Sequence, residues 1–510
     1  MISRSRSFAL IGIEAFTVTI EADLAAGLPS FDIVGLPDAA IKEAKERVRA
    51  ALRNSGFSLP PQKIIVNLAP ADIKKEGSGF DLAIATSLLV ADKKLPQSAL
   101  DGFAFFGELS LAGEIKSING ILSLALGAAE NGIKNIIVPS DNAVEASLAE
   151  GINVYAAENL YEVFEFLSGS KKIEPTVSDT EAIIKNNAVY DVDFADVKGQ
   201  PLLKRAMEIA AAGGHNVIIM GSPGSGKSML AKRIPTILPD MNINEAIDTT
   251  RVYSAAGLLS KDTPVIAARP FRSPHHNISV AGLIGGGTDS KPGEVSLSHN
   301  GVLFLDEFLE FPPKALEGMR QPLEDGKVTI ARASSSNTYP CKIMLVLAAN
   351  PCPCGYHGDK RRRCTCSQNA INKYLARLSG PLLDRIDIQV EASSLTFDTL
   401  GEARGESSAD IKKRVSRARL IQRERFKSDT RLNSDMKTED DFKKYCPLDE
   451  DCKNLLENAF KVLGLSMRGY NSLMTVTRTI ADLDGAENIN VTHLSEAISY
   501  RRLENKYWNR

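Results

Sequence analysis

The octapeptide GSPGSGKS, residues 221–228, constrains the fold more than any other stretch of the chain. It fits G-x-x-x-x-G-K-[ST], and its flanks give that pattern physical sense. Before it, Asn216-Val-Ile-Ile-Met220 is a short β-branched apolar run that reads as a buried strand. After it, Ser228-Met-Leu-Ala-Lys-Arg-Ile234 has helical spacing. Gly221, Gly224 and Gly226 let the backbone wrap around phosphates, with N–H groups converging at a helix N-terminus. Lys227 adds positive charge near the outer phosphates, and the Ser228 hydroxyl can hold Mg²⁺. Strand, loop and helix in that order imply an α/β domain that binds a nucleoside triphosphate. Its expected contacts run from Gly221 through Ser222, Pro223, Gly224, Ser225, Gly226, Lys227 and Ser228 to Met229.

At 510 residues the chain exceeds what one hydrophobic core supports, so several domains are expected. Its 61 Lys and Arg nearly balance 63 Asp and Glu. Any nucleic-acid contact must therefore use local basic patches rather than global charge. No apolar run is long enough to span a bilayer, which predicts a chain without a membrane segment. Glu14 interrupts the first apolar run, so the start reads as a strand rather than a signal peptide. Four of the seven cysteines cluster, the pattern of an intracellular metal site, and a cytoplasmic location is expected.

Residues 1–170 alternate strands and helices. Phe16-Thr-Val-Thr-Ile20, Lys63-Ile-Ile-Val-Asn67 and Lys134-Asn-Ile-Ile-Val138 read as strands. Pro37-Asp38 opens a helix with Ile41, Ala44, Val48 and Leu52 on one face, and Gly56 closes it. A polar stretch, 171–192, reads as a linker. The nucleotide-binding core spans 193–392, and 393–510 is mostly helical. The helical part holds a basic segment, 412–427, with eight Lys and Arg, read first as a solvated helix face.

Gly301-Val-Leu-Phe-Leu-Asp306-Glu307 is an apolar strand ending in two acids, the Walker B arrangement. Asp306 at the strand's carboxyl end can reach the Mg²⁺ shell, and Glu307 can polarise the attacking water. A further apolar strand, Ile343-Met-Leu-Val-Leu-Ala-Ala-Asn350, ends in an amide suited to sensing the γ-phosphate or orienting water.

Val197-Lys-Gly199-Gln200, AAAGGHNVIIMG, FRSPHHNIS, GEVSLSHNGVLFLDE, AANPCPCGYHGD, SGPLLDRIDI and LSMRGYNSLMTVTRTIADL follow one another in order. The series resembles the AAA+ ATPases and, among them, the magnesium-chelatase-like ATPases of the YifB/ComM family, over essentially the whole chain. The resemblance implies an α/β chain in three parts. These are an N-terminal Lon-protease-like α+β domain (1–170), a central AAA+ P-loop α/β domain with hairpin insertions and a Cys-rich loop (350–367), and a C-terminal helical lid. It also implies that Gly199 and Gln200 lie near the adenine. Arg385, in Leu383-Asp384-Arg385, becomes the arginine finger of a neighbouring subunit's site, and Arg468, in Ser466-Met-Arg-Gly-Tyr470, the sensor 2 arginine. Without the resemblance Arg385 reads as a surface ion pair with Asp384 or Asp387. Arg377 and Arg478 are rivals for the two roles. A finger supplied in trans requires a closed heterologous assembly, and a homo-hexamer is expected.

Cys352-Pro-Cys354 and Cys364-Thr-Cys366 are two C-x-C pairs with nine residues between them. Four thiolates from one short loop can close a tetrahedron around Zn²⁺ and staple a segment with no core of its own. The alternative is four free thiols, which oxidise readily when exposed. Between the pairs, Lys360, Arg361, Arg362 and Arg363 form either a phosphate-contacting tip or a solvated charge run.

Two further segments are candidates for DNA. Residues 326–342 read as a β-hairpin before the sensor strand, carrying Arg332 and Lys342, and the resemblance implies that such a hairpin projects into a central channel. Residues 262–296 are glycine-rich and carry Arg269, Arg272, His275, His276 and Lys291, the composition of a mobile pore loop. In the N-terminal domain the Lon-like site needs a serine and an activated lysine. Ser78 lies near the serine position, but Leu122 stands where the lysine is expected, so proteolysis is not anticipated. The expected activity is that of an ATP- and Mg²⁺-dependent hexameric DNA motor, a helicase promoting branch migration of recombination intermediates in natural transformation, on single-stranded or branched DNA and with recombination proteins as possible partners. The alternatives are a chelatase motor driving Mg²⁺ into a porphyrin and a nucleotide-gated DNA scaffold.

Overall fold

The computed structural model describes residues 2–75, 77–187, 190–260, 262–287, 290–331, 336–359, 362–393 and 404–508. They divide into two compact units. One comprises Met1–Asn187 with Ile243–Ala267 and Thr329–Tyr339; the other comprises Ala188–Asn242, Ala268–Val328 and Pro340–Arg510. The division differs from the sequence boundaries in two ways. The stretch read as a linker contains a helix, Thr180–Asn187, that belongs to the first unit. Two segments inside 193–392 also pack with the N-terminal part, and specific contacts explain both. Helix Ile243–Ala256 presents Arg251, which donates to the Ile13 carbonyl (2.9 Å) and the Ser123 hydroxyl (3.2 Å). The hairpin meets the turn after the first strand, where a Cβ on Gly12 would lie 3.0 Å from the Thr338 carbonyl oxygen. That turn has Gly12 at φ +68°, a conformation glycine adopts without steric cost.

The first strand, Ser3–Ile11, alternates Ser inward and Arg outward over its first five residues, and Ser3, Ser5 and Ser7 are buried. Small side chains let the strand approach helix Asp81–Ala91, every residue of which is buried. The hydroxyls donate to carbonyls of Ser87 (2.7 Å), Ala83 (2.9 Å) and Phe105 (2.9 Å), so no polar group is left bare. Ser3–Ile11 and Glu14–Ala25 pair antiparallel, Lys63–Ala69 joins antiparallel, and Ser30–Val34 joins it in parallel. A second, parallel sheet holds Phe103–Phe105, Asn135–Pro139 and Asn153–Ala157. Helix Ala39–Asn54 is capped by Asp38 and buries Ile41, Ala44, Val48 and Leu52, the face that the spacing predicts. Ser78 donates its hydroxyl to Glu108, an acid rather than a lysine, and Leu122 is fully buried.

The second unit is built on a five-stranded parallel sheet. Its order is Phe271–Arg272, Val302–Leu305, Met344–Ala349, Val217–Met220, Ile388–Glu391. The three inner strands are buried along their length, as expected of strands covered on both faces. Helices Ser408–Phe426 and Met467–Leu483 pack on Pro201–Gly213. The basic segment of the first of these is largely a set of internal ties. Lys412 pairs with Asp240 (2.6 Å), Arg414 with Glu208 and Glu406, and Arg425 with Asp482, while Arg419 donates to the Ala211 carbonyl (2.6 Å). Arg478, 2% exposed, shares the fully buried Asp482 and donates to the Ala486 and Glu487 carbonyls, so it is structural rather than a sensor.

Two expectations follow. Burial pushes the Glu145 carboxyl up to about 7, against hydrogen bonds from Ser254 and the Leu122 N–H. An acid with a raised folded pKa retains its proton in the native state, so its contribution is complete below about 4.5 and is lost as pH rises through about 7. Glu145→Gln should remove that slope and leave the variant more stable above neutrality, by up to about 3 kcal/mol, in denaturation curves taken across pH. Asp482→Ala leaves two arginines without their shared carboxylate. It should lower stability by about 3–5 kcal/mol in denaturant titrations.

Candidate nucleotide site and cysteine cluster

The strand order brings the predicted catalytic residues together. The phosphate-loop strand Val217–Met220 lies between Met344–Ala349 and Ile388–Glu391, and Met344–Ala349 separates it from the acid strand Val302–Leu305. Ligands of open parallel sheets sit in the crevice at the carboxyl ends of the strands. There the loop 221–228, Asp306, Glu307 and Asn350 emerge side by side. Gly221 N–H donates to the Ala349 carbonyl (3.1 Å), and a Cβ at Gly221 would meet that of Ala392 at 2.9 Å. Gly224 and Gly226 have φ of +76° and +89°, and nothing lies within 4 Å of where a Cβ would stand on either.

Lys227 is 8% exposed, and burial lowers its pKa. Its ammonium donates to the carbonyls of Gly221 (2.6 Å) and Ser222 (3.1 Å) and to Asn350 Oδ1 (3.3 Å). The Ser225 hydroxyl is buried with no partner among the described residues. An orphaned donor, a buried cation and open glycine backbone fit a triphosphate. Ser228 Oγ donates to Asp306 Oδ2 (2.6 Å), so both groups of the expected Mg²⁺ shell are within reach of one ion. Asp306 Oδ1 also accepts from the Glu307 N–H (3.0 Å). Glu307 adopts φ +49°, which a non-glycine residue holds at a cost. Its carboxylate, about half exposed, faces His276 Nδ1 at 3.5 Å.

His276 was expected on a pore loop with its neighbours, and the structure revises that group. The His275 and His276 rings lie tilted against each other with centroids 4.1 Å apart, and His276 is the one that faces Glu307. Arg269 is 8% exposed and spans the carbonyls of Asn300 (2.8 Å) and Pro239 (2.5 Å). Arg272 forms a two-pronged pair with Glu294 at 2.6 and 2.7 Å. These side chains hold the segment together, which composition alone does not reveal. Gln200, at φ +59°, donates to the carbonyls of Ser225 (3.0 Å) and Ser393 (2.6 Å) and accepts from the Ser393 N–H (2.9 Å). It straps the phosphate loop to the end of the last strand, with Gly199 at φ +62° before it. Met229 stands half exposed at the helix start.

Arg385 does not pair with Asp384 or Asp387. Its guanidinium pairs with Glu324 and donates to the Pro381 carbonyl (2.6 Å). Asp387 is engaged by His215 (3.3 Å), which also bonds Thr479 (2.8 Å). Arg468 pairs with the same Glu324 at 2.7 Å. The Glu324 carboxyl is held below its ordinary value, first by the hydrogen bond from Arg385. Both arginines thus converge on one carboxylate at a cavity of about 410 Å³ lined by Glu317, Arg320, Gln321, Glu324, Asp325 and Arg385. Arg377, the rival, is held by Glu310 (2.7 Å) and the Leu309 carbonyl (2.8 Å).

The four cysteines assemble. Their sulfurs all lie within 4.8 Å of one another, with Cys352–Cys354 at 3.4 Å, Cys354–Cys364 at 3.6 Å and Cys352–Cys364 at 3.7 Å; Cys366 completes the group. Burial raises the Cys354 thiol, but N–H groups of Thr365 and Tyr356 outweigh it and bring the pKa down to about 5. Burial pushes the Cys352 thiol the other way, up to about 12, so the fit to a tetrahedral Zn²⁺ rests on four sulfurs within reach of one ion. Of the basic tip, Lys360 and Arg361 lie outside the described residues; Arg363 is exposed, and Arg362 stacks on the Tyr356 ring at 4.4 Å and donates to its hydroxyl. Arg332 also lies outside the described residues. Lys342 lies beyond the hairpin strand Ser336–Pro340, and its ammonium is held by the Thr430 carbonyl and by Asp435 at 3.6 Å.

Among the described residues no helix is long and apolar enough to cross a membrane. Residues 193–400 match the family described as magnesium chelatase, subunit ChlI; residues 20–142 match subunit ChlI of Mg-chelatase, and residues 405–501 match its C-terminal region. The chain is 43% identical over 507 residues to the competence protein ComM of Haemophilus influenzae, covering 98% of this chain and 97% of that one. It is 41% identical over 498 residues to the uncharacterized protein YifB of Escherichia coli, covering 97% and 96%. A weaker match, 25% over 144 residues, joins 27% of this chain to 16% of a Lon protease of Mycoplasma mobile. The family accounts for the parallel sheet and its phosphate loop, and it implies an ATPase motor that uses ATP and Mg²⁺. The chain belongs to the YifB/ComM family of magnesium-chelatase-like AAA+ ATPases.

Proposed function

We propose that this protein is an ATP-driven DNA motor working as a ring of identical subunits, six in the expected assembly, and that it moves branched recombination intermediates. One observation carries the reading of a shared site. Lys227 bonds Asn350 and Ser228 bonds Asp306 at the carboxyl ends of the inner strands, whereas Arg385 and Arg468 meet on Glu324. A phosphoryl-transfer site needs both sets, and a neighbouring copy supplies the second. Lys227 would exchange its carbonyl partners for phosphate oxygens, while Asn350 and Glu307 orient the attacking water and Glu307 takes its proton. Ser228 and Asp306 would hold Mg²⁺, which neutralises phosphate charge. Arg385 stabilises charge developing on the transferring group, a role worth about 10³–10⁵ in rate. DNA as the cargo is supported by likeness to a protein named for competence. The ChlI descriptions favour a second reading, a motor that drives Mg²⁺ into a porphyrin.

The first test compares ATP turnover with and without single-stranded DNA and follows a labelled four-way junction. DNA-stimulated hydrolysis and junction movement, both abolished by Lys227→Ala, are expected; DNA-independent turnover and a stationary junction would favour the chelatase reading. The shared site has its own test. Lys227→Ala and Arg385→Ala should each abolish turnover, and a mixture of the two should recover part of it, because mixed rings contain some intact interfaces. The described cysteine cluster should hold about one zinc per chain by elemental analysis, and chelation should remove it with loss of order in residues 350–367.

A further inference from the structure

The cysteine loop is mounted on the phosphate loop partly through Asp359 and Gly355, which neither the nucleotide site nor the metal site uses. Asp359 Oδ2 accepts a hydrogen bond from the Ser222 hydroxyl at 2.7 Å, and its Oδ1 accepts from the Arg362 N–H at 3.2 Å. Gly355, at φ +84°, sits so close to Pro223 that a Cβ there would lie 2.6 Å from the proline Cδ. The connection begins at Asn350, whose Oδ1 accepts from Lys227, and two residues later Cys352 is buried among the thiols. Residues 350–359 therefore touch the phosphate loop at Lys227, at Pro223 and at Ser222 in turn.

We propose that Asp359 is a positioning residue for the phosphate loop, and that closure of the four-cysteine cluster holds it in place. The phosphate loop needs such a brace. Its positive-φ glycines, with open space around Gly224 and Gly226, give the backbone many alternative conformations. Ordering them at the moment of binding would weaken affinity, and a brace removes that cost beforehand. The cysteine loop has little apolar burial of its own beyond Cys352, so a cross-link through the thiols must supply its rigidity. Asp359 lies between, with one oxygen on the phosphate loop and the other on the basic turn that the cluster closes. A carboxylate is suited to this post because a charge-assisted hydrogen bond is stronger than a neutral one. The inference rests on the nucleotide reading of residues 221–228 and on the metal reading of the cluster.

The experiment measures the dissociation constant of a fluorescent ATP analogue on the full chain, alongside zinc content and the thermal midpoint. Asp359→Ala should weaken binding about tenfold, the effect of losing one charge-assisted hydrogen bond, with the thermal midpoint unchanged. Asp359→Asn keeps an acceptor for Ser222 and should recover most of the affinity. Ser222→Ala should weaken binding similarly, and adding Asp359→Ala to it should weaken binding little further. Stripping zinc should weaken the parent by a like factor and Asp359→Ala hardly at all. Unchanged affinity in Asp359→Ala would overturn the brace, as would tighter binding in both Asp359 variants, the mark of a carboxylate that only repels phosphate. Equal losses on stripping parent and variant would overturn the link to the cluster, as would a chain purified without metal. Failure of the nucleotide reading looks different, because Lys227→Ala would then bind the analogue as tightly as the parent.

Discussion

Everything in the second unit hangs on a parallel sheet whose inner strands have no solvated face. Val217–Met220, Val302–Leu305 and Met344–Ala349 are buried residue by residue, so their register cannot slip without exposing apolar surface. Because Met344–Ala349 lies between the other two, the loop after Met220 and the acids after Leu305 face each other across the width of one strand. The Ser228–Asp306 hydrogen bond, 2.6 Å long, spans that gap directly. Asn350 emerges in the middle and meets Lys227. The geometry of the site is thus a consequence of strand order, and strand order of the packing on both sheet faces.

The helical region is bound to this sheet by buried charge. His215 links Asp387 to Thr479, Arg414 pairs with Glu208, and Arg419 donates to the Ala211 carbonyl, while within the helical region Arg425 and Arg478 share Asp482. Ties of this kind stabilise little relative to apolar packing, but they are costly to break singly. They keep Arg468 in a defined place with Arg385, on one carboxylate. Two cations on Glu324 offset each other's repulsion only while that carboxylate is present.

Much of this was legible along the chain, and the particulars show why. The glycines and lysine of the phosphate loop act through local backbone conformation, so their spacing carries their chemistry. The helix face of Ile41, Ala44, Val48 and Leu52 was readable because period and burial coincide. The four cysteines were readable because ligands close in sequence need only a short loop to meet. What escaped depended on partners distant in sequence. Ser3, Ser5 and Ser7 look like a polar, solvated edge, yet they form a buried face because helix Asp81–Ala91 supplies carbonyls to Ser3 and Ser5 and strand Phe103–Phe105 supplies one to Ser7. The basic run 412–427 reads as a solvated helix face, but acceptors for Arg414 and Arg419 lie on helix Pro201–Gly213, some two hundred residues earlier. Arg269 and Arg272 misled in a related way, since a charged side chain in a glycine-rich segment looks free until its partner is placed.

By itself the sequence determined the phosphate-binding chemistry, the acid pair, the thiol set and the family, because each depends on residue types at short, regular spacing. Only the tertiary structure decided which arginines stand together, that residues 243–267 and 329–339 pack with the N-terminal part, and that Asp359 of the cysteine loop touches Ser222 of the phosphate loop. Those facts join residues tens to hundreds of positions apart. Such pairings are set by how sheet and helices close on their cores, and no local pattern encodes them.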